Sequence, residues 1–157
     1  MPTIGLRSDH RVDEIPASHR DLVQCPPVAA LTTVMPNGSP QTSVVWCDFD
    51  GVCARVSTMR GFAKERNMRA NPQVTLCCYD PRQPNRYLEV RGTVIEMTEA
   101  GAAGHLDHLA SKYAGRPVHY FGDAIPAHFA QTEHPVLCRI RPTHVVALDA
   151  TGKQGRR

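Results

Sequence analysis

The residues most able to support chemistry lie within the segment VSTMRGFAKERN, at positions 56–67. Ser57 and Thr58 supply hydroxyl groups at the end of a predicted strand. Arg60 and Lys64 follow, in a loop and in the first turns of a predicted helix. Hydroxyl groups, the N–H groups of a helix N-terminus and two cations together suit a phosphate or carboxylate. The segment predicts either an anion site or an ordinary corner between a strand and a solvated basic helix.

Motifs that would place catalysis in the side chains themselves are not found in the sequence. There is no G-x-G-x-x-G after a predicted strand, no Walker loop, no G-x-S-x-G and no HExxH. His105 and His108 lie three apart on a predicted helix, but no third metal ligand is evident near them. We therefore expect no metal site, and an enzyme with this sequence would depend on an organic cofactor.

Composition narrows the class of protein. The 157 residues suit one domain, and 41% hydrophobic with 21% charged residues predicts an ordered core. No apolar run approaches the ~20 residues that span a bilayer, and the N-terminal segment has no signal-peptide core, so we expect a cytoplasmic protein.

The net charge of +3 and the 6% aromatic content argue against a nucleic-acid partner. Six cysteines without a CxxC pair predict buried thiols in a reducing compartment.

The elements that must position these residues are mainly strands. The predicted strands cover 28–35, 41–49, 52–58, 74–79, 86–97, 134–141 and 143–149. Helices are predicted to open at 15–18 and stop at 25–27, to cover 60–70 and 98–114, and to form a turn at 126–132. This pattern indicates a mainly β (α+β) fold, a six- to seven-stranded antiparallel barrel with short peripheral helices. We expect one domain at 15–150, a flexible arm at 1–14 and a frayed tail at 151–157.

A few residues predict where these elements bend or begin. Asn37-Gly38 predicts a tight turn, so that the first three strands would form a hairpin and then a meander. Ser18 followed by Asp21 resembles a helix-capping pair. Gly92 inside a strand predicts a bulge or a close approach of another backbone. The two last strands are predicted to be joined near Pro142.

A resemblance to a known family rests on segments that follow one another along residues 15–149. They are ALTTVMPNGSPQTSVVWCDFDG, VSTMRGFAKERNMRANPQVTL, NRYLEVRGTVIEM, a helix ending in KYAGRP, and VLCRIRPTHVVAL. The ordered set KxRN, NP and VRG is more specific than any one of these motifs. The chain resembles the split β-barrel flavin and deazaflavin reductases of the pyridoxamine-phosphate-oxidase-like superfamily, and most of all the branch that uses coenzyme F-420.

The resemblance implies a function. It implies an F-420-dependent oxidoreductase that transfers a hydride from the reduced deazaflavin to an unsaturated or conjugated small molecule. It also implies a homodimer with cofactor sites at the subunit interface. FMN is the alternative cofactor, because the same barrel binds it in the oxidase branch. A non-catalytic protein that binds a flavin or deazaflavin is a further alternative.

The resemblance also assigns cofactor-binding positions, none of them catalytic. The residues beneath the planar ring would be Gln41, Ser43, Val45 and Trp46. The residues that meet the phosphate or the ribityl-like chain would be Ser57, Thr58 and Lys64, with Lys64 the main cation. Asn67 would brace the loop, and Asn85, Arg86 and Tyr87 would arrive from the second subunit. Many relatives have an arginine where this chain has Phe62, and Arg60 would supply that charge.

The roles of three aromatic residues can each be interpreted in two ways. Trp46 lies beneath the ring if the resemblance holds, but a lone tryptophan in a strand is also typical of an ordinary core. Tyr120 and Phe121 either line a substrate pocket or cover the mouth of the barrel.

Overall fold

The computed structural model describes residues 13–24 and 28–150. Most of the predicted arm, the predicted helix stop at 25–27 and the predicted tail lie outside the described residues. The helices are α1 (Arg20–Gln24), which follows a 3-10 turn (Ala17–His19), α2 (Ala63–Ala70) and α3 (Ala102–Ala114). The strands are β1 (Val28–Val34), β2 (Pro40–Val45), β3 (Cys47–Phe49), β4 (Ala54–Met59), β5 (Gln73–Tyr79), β6 (Arg86–Thr98) and β7 (Pro135–Asp149).

The seven strands form one antiparallel sheet in the order β2-β1-β5-β6-β7-β4-β3. Its two edge strands, β2 and β3, are consecutive in the chain, and one residue, Trp46, joins them. The sheet must therefore curl until its first and last strands meet at that residue. This confirms the predicted antiparallel split barrel with short helices.

The predicted strand at 41–49 is broken into two strands, and the pairing predicted for the meander is present but divided between them. The first half, β2, pairs with β1, whereas the second half, β3, pairs with β4. One straight strand cannot serve both edges of a curled sheet, so the backbone breaks at Trp46. The hairpin at Asn37-Gly38 is confirmed, since Val34 pairs with Pro40 across it.

The two predicted C-terminal strands are one continuous strand, β7. Pro142 lies inside it, opposite Gly92 of β6. The pairing of β7 with β4 ends at Ile140, so beyond that residue β7 has β6 as its one partner strand in the described fold. Proline is tolerated on such an edge because no second ladder needs its missing N–H.

Gly92 shows both predicted features. The register between β6 and β7 shifts at Arg91/Gly92, which is a bulge or irregularity. A Cβ atom at Gly92 would lie 2.6 Å from the carbonyl oxygen of Arg141 and 2.7 Å from Cγ2 of Ile140. The two strands approach each other this closely because residue 92 has no side chain.

Three predicted helix starts are corrected. α2 begins at Ala63 rather than at residue 60, because Gly61 has a φ of +84° and belongs to the preceding turn. α3 begins at Ala102 rather than at residue 98, because β6 continues through Thr98 and Gly101 has a φ of +75°. The capping pair is wrong, since the Ser18 hydroxyl contacts its neighbour His19 instead. The predicted turn at 126–132 is confirmed at Ala127–Gln131.

Inward-facing apolar side chains of the curled sheet form the core. The fully buried ones include Ala29, Leu31, Val56, Leu76, Leu88, Val90 and Ile140. α1 contributes Leu22 and Val23 and contacts β3, β5 and β6, whereas α2 contributes Met68 and contacts β1 and β4. These helices therefore close different ends of the barrel, and α3 packs outside it against β4 and β7.

Candidate functional site

The two edges of the sheet diverge from Trp46, and we call the opening between β2 and the end of β4 the split. β2 pairs with β1 alone, and residues Ser57–Met59 of β4 pair with β7 alone within the described fold. The β3–β4 register places Cys47 opposite Val56. Continued past Trp46, it would set Val45 opposite Thr58. The split is thus bounded by two strand edges whose facing backbone groups have no partner strand among the described residues.

Two buried hydroxyl groups lie on the two sides of the split. Ser43 Oγ on β2 and Thr58 Oγ1 on β4 have no hydrogen-bond partner among the described residues. A buried polar atom without a partner costs roughly 1–3 kcal/mol, so such atoms are rare unless a ligand or water completes them. Both positions were predicted to bind the cofactor.

Lys64 stands in the first turn of α2, which follows the end of β4. Its side chain is half-buried, and no acidic group of the described residues pairs with it. Burial lowers the pKa of Lys64. A half-buried cation without a counter-charge at a helix N-terminus is ready to pair with an anion.

The acid beside Lys64 is already neutralised. Glu65 is buried, and its carboxylate accepts a hydrogen bond from the Gly61 backbone N–H at 3.1 Å. The same carboxylate forms an ion pair with Arg69 one turn along the helix. Glu65 therefore fixes the turn between β4 and α2 and does not cancel the charge of Lys64.

Asn67 braces a strand rather than the loop for which it was predicted. Its Nδ2 donates to Thr33 Oγ1 at 3.0 Å, and that hydroxyl donates to Gln41 Oε1 at 3.1 Å. This chain connects α2 to β1 and β2 and fixes the side chain of Gln41. Thr33 could not be singled out from the sequence, since a threonine inside a strand is ordinary and Asn67 lies 34 positions away.

Arg60 is not free to replace the arginine that this chain lacks at Phe62. The Arg60 guanidinium forms an ion pair with Glu99, just beyond β6, and Phe62 is exposed at the start of α2. Arg66 is exposed and donates to the carbonyl oxygen of Gly61. A role for Arg60 in the anion site stays a prediction, and it would require the Glu99 pair to open.

Asn85, Arg86 and Tyr87 lie far from Lys64 in the same chain. Arg86 pairs with Asp149 at one end of β7, whereas Met59, close before α2, pairs with Pro135 at the other end. At ~3.3 Å per residue, roughly 46 Å of strand separates the two ends. The Arg86 guanidinium instead holds the Asp21 carboxylate at 2.8 and 2.9 Å and thereby ties α1 to β6.

At the apex of the split, Trp46 and Ser57 both contact elements outside the barrel. The Trp46 ring is half-buried, stacks on Tyr113 at 5.3 Å and meets the edge of Tyr120 at 5.9 Å. The Ser57 hydroxyl lies 2.8 Å from Nδ1 of His105 on α3. Trp46 is therefore part of an aromatic group at the surface of the barrel, and Ser57 faces away from Thr58.

The comparison with known families agrees with this geometry. Residues 15–147 match the family model described as pyridoxamine 5'-phosphate oxidase. The chain belongs to this family. A solved F-420 reductase is 30% identical, with a TM-score of 0.70, over 84% of this chain and 98% of its own. Family membership and this neighbour support a flavin- or deazaflavin-type oxidoreductase, and the predicted family is confirmed.

More distant structures share the fold. A conserved hypothetical protein from Mycobacterium tuberculosis is 23% identical, with a TM-score of 0.68, over 91% of this chain and 88% of its own. General stress protein 26 from Bacillus anthracis is 19% identical, with a TM-score of 0.57, over 82% and 88%. No curated protein is significantly similar in sequence. Within the described residues, no helix is long and apolar enough to cross a membrane.

Proposed function

We propose that this protein is an F-420-dependent reductase that transfers a hydride from the reduced deazaflavin to an unsaturated or conjugated small molecule. The observation that carries the proposal is the split, with two buried hydroxyl groups and the cation Lys64, for which the described residues supply no hydrogen-bond partner and no counter-charge. Family membership supports the cofactor class, and the similarity to an F-420 reductase favours the deazaflavin.

The residues around the split fit a planar cofactor with an anionic end. Lys64 and Thr58 would hold the phosphate, and Ser43 with Val45 would lie along the ring. On the edge of β2 that pairs with no strand of the described fold, backbone N–H groups would be available as donors to the ring edge. When bound, the reduced deazaflavin supplies the hydride from its ring carbon, and the protein contributes proximity and orientation. The exposed cation Arg66 would attract the acidic tail of F-420, an attraction that salt weakens.

We also propose that two chains pair through the outer face of the sheet. One row of register partners crosses five strands on that face: Val44, Ala30, Cys77, Glu89 and Val146. Val44 is 73% exposed, an unusual environment for valine on an edge strand. In a pair with two-fold symmetry, residues 85–87 of one chain can approach the split of the other, which they cannot reach within their own chain.

Titration of the purified protein with F-420 and with FMN side by side tests the proposal. We expect tight binding of F-420, weaker binding of FMN, and turnover of reduced F-420 with a conjugated acceptor. Protein that is purified yellow and releases FMN on denaturation would assign the site to FMN instead. Stable F-420 binding without turnover on a panel of quinones, nitro compounds and enones would indicate a non-catalytic binding protein.

A further inference from the structure

A chain of two hydrogen bonds leads from α2 to the side chain of Gln41 on the edge strand β2. Asn67 Nδ2 donates to Thr33 Oγ1 at 3.0 Å, and that hydroxyl donates to Gln41 Oε1 at 3.1 Å. Thr33 and Asn67 are only 0% and 6% exposed, whereas Gln41 is half-buried. The chain therefore begins in the interior and ends at a side chain that a ligand can reach.

The single hydrogen of the Thr33 hydroxyl sets the direction of this chain. A hydroxyl that donates to one amide has to accept from the other. Because Asn67 presents its NH2 group, Thr33 accepts from Asn67 and donates to the carbonyl oxygen of Gln41. The NH2 group of Gln41 is left over, and no group of the described residues accepts a hydrogen bond from it. Gln41 is thus held as a donor.

Gln41 lies on the same side of β2 as the buried hydroxyl group of the split. Burial alternates along β2, so that Gln41, Ser43 and Val45 face one side of the strand and Val44 faces the other. Ser43 Oγ is the buried hydroxyl of this strand for which the described residues supply no hydrogen-bond partner. The amide of Gln41 and the hydroxyl of Ser43 therefore line the β2 side of the split together.

Along the split, Gln41 lies at the end near α2 and not at the apex. Thr33 is the register partner of Gln41 on β1. Asn67, at the other end of the chain, follows Lys64 by three residues, so both lie on one face of α2. Val45, beside the apex, is four residues or about 13 Å farther along β2. The donors of Gln41 and Lys64 therefore belong to the same end of the split.

We propose that Asn67 is a positioning residue that acts through Thr33 to turn the NH2 group of Gln41 toward an oxygen on the phosphate-bearing part of the cofactor. This inference rests on the proposed function, since it assigns a role within the same split. It moves Gln41 from beneath the planar ring, where the family resemblance sets it, to the anionic end. Lys64 and Gln41 supply only N–H donors there, so this end selects oxyanions against groups that can only donate.

The contribution of the buried chain is preorganisation of Gln41. A glutamine side chain loses rotamer freedom when it binds a ligand, and this loss weakens binding. Thr33 and Asn67 hold the side chain in one orientation before the ligand arrives, so most of that loss is already met in the folded protein. Without the hydroxyl of Thr33, we expect the affinity for the cofactor to fall about two- to tenfold.

Replacement of Thr33 by valine keeps the shape of the side chain and interrupts the chain at its centre. Fluorescence titration should show the two- to tenfold weaker binding of F-420, and Thr33→Ser, which keeps a hydroxyl, should restore it. Thr32→Val is the matched control, because Thr32 bonds Thr42 at 2.8 Å between the same two strands but on the outer face. This control should leave the affinity unchanged. For the deazaflavin ring with its ribityl chain but without phosphate, Thr33→Val should also have no effect.

A second set of variants tests whether Thr33 and Asn67 act through Gln41. In a Gln41→Met background, Thr33→Val should cause no further loss of affinity. Asn67→Asp introduces a carboxylate that can only accept, so Thr33 would donate to it and accept from Gln41, whose carbonyl oxygen would then face the ligand. This variant should lose more affinity with Gln41 present than with Gln41→Met, since the added charge is common to both. It also provides the comparison if Thr33→Val does not fold, which urea unfolding shows.

Three results would overturn the inference while F-420 binding still upheld the proposed function. The first is unchanged affinity in Thr33→Val or in Gln41→Met. The second is an equal loss with and without Gln41→Met, which would make the contribution of Thr33 and Asn67 independent of Gln41. The third is an equal loss for the ligand without phosphate, which would return Gln41 to the ring. Failure of the wild-type protein to bind F-420 or FMN would overturn both the inference and the proposed function.

Discussion

At the scale of single residues, the two cations predicted for the anion site differ in their state. Lys64 is half-buried and has no acidic partner among the described residues, whereas Arg60 is held by Glu99. A charge that is already paired must lose one partner to gain another, so its net contribution to binding is small. Lys64 is therefore the residue on which anion binding should depend most.

Replacement of Lys64 by alanine is expected to weaken cofactor binding by ~1–3 kcal/mol, which is the value of a charge-assisted hydrogen bond. Fluorescence titration measures this change. The control is Arg82→Ala, which removes a cation of similar size from an exposed loop, where Arg82 pairs with Asp80. Unchanged affinity in Lys64→Ala would remove this residue from the site.

The sequence predicted the residue types at the split better than their contacts. The hydroxyl groups of Ser57 and Thr58 and the cation Lys64 could be named, because a strand, a glycine turn and a helix follow in order. That Ser57 contacts His105 could not be predicted, since 48 positions separate the two residues. The alternation of side chains along a strand predicts that Ser57 and Thr58 face opposite sides of the sheet, but it does not predict which side a helix covers.

At the scale of elements, the long pair of β6 and β7 positions both sides of the site. β7 pairs with β4, whose end forms one side of the split. β6 pairs with β5, which is followed in the sheet by β1 and β2 on the other side of the split. The bulge at Gly92 lies in this pair and sets how the two strands bend past each other. A change at the bulge should therefore act on the whole barrel.

Gly92→Ala is expected to lower the free energy of unfolding by about 1–3 kcal/mol, because the new methyl group would overlap the Arg141 carbonyl and Ile140. The matched control is Gly104→Ala in α3, where no atom lies within 4 Å of the added Cβ. There we expect a gain of roughly 0.5–1 kcal/mol from helix propensity. Urea unfolding measures both, and equal stability of the two variants would contradict the close approach.

The attachment of α3 to β3 and β4 should depend on pH through Asp48. Burial raises the pKa of Asp48, and the hydrogen bonds from His105 and Arg55 lower it further than burial raises it. A depressed pKa in the folded state gives stability that is present above the unfolded pKa and lost as the pH falls toward the folded one. We expect the wild-type protein to lose stability steadily below about pH 5.

Asp48→Asn should be less stable at pH 7 and should show a flatter decline in acid. Denaturant unfolding at pH 7, 5 and 3.5 gives the two slopes. Asp80→Asn is the control, because that carboxylate pairs with Arg82 on an exposed loop and anchors no helix. If the free energy of unfolding fell equally with decreasing pH in the wild type and in Asp48→Asn, another group would control the loss of stability in acid.

The types of the elements could be predicted where the signal lies in neighbouring residues. The predictions failed where the position of a strand in the sheet determines its structure. Alternation and the turn at Asn37-Gly38 located most strands. The break at Trp46 and the continuity of β7 through Pro142 follow from which strands lie at an edge. Edge position depends on partners far away in the chain, and propensity carries no information about them.

At the scale of the whole molecule, the proposed site needs two chains. Residues 85–87 lie at the opposite end of β7 from α2, so in the proposed dimer they would serve the split of the second chain. The fold class and family could be predicted from the order of motifs. The proposed pairing face could not be predicted, because the register that aligns Val44 with Ala30 and Cys77 depends on three segments that are separate in the chain.

Val44→Asp is expected to shift a dimer toward monomer by at least about tenfold, since an unpaired charge in a desolvated interface costs several kcal/mol. Analytical ultracentrifugation gives the dissociation constant. Val52→Asp is the control, because Val52 is also exposed, at 65%, but lies in the turn before β4. A dimer that tolerates Val44→Asp as well as Val52→Asp would place the interface elsewhere.

β4 and β6 both pair with β7, which is the last strand of the described fold. This order of the strands has a consequence for biosynthesis. During translation at ~5–20 residues per second, β4 and β6 leave the ribosome before β7 exists to bridge them. Pairings this remote in the chain also form slowly, on the order of milliseconds to seconds. The nascent chain must therefore keep the edges of β4 and β6 apart from the strand edges of its neighbours until β7 has emerged.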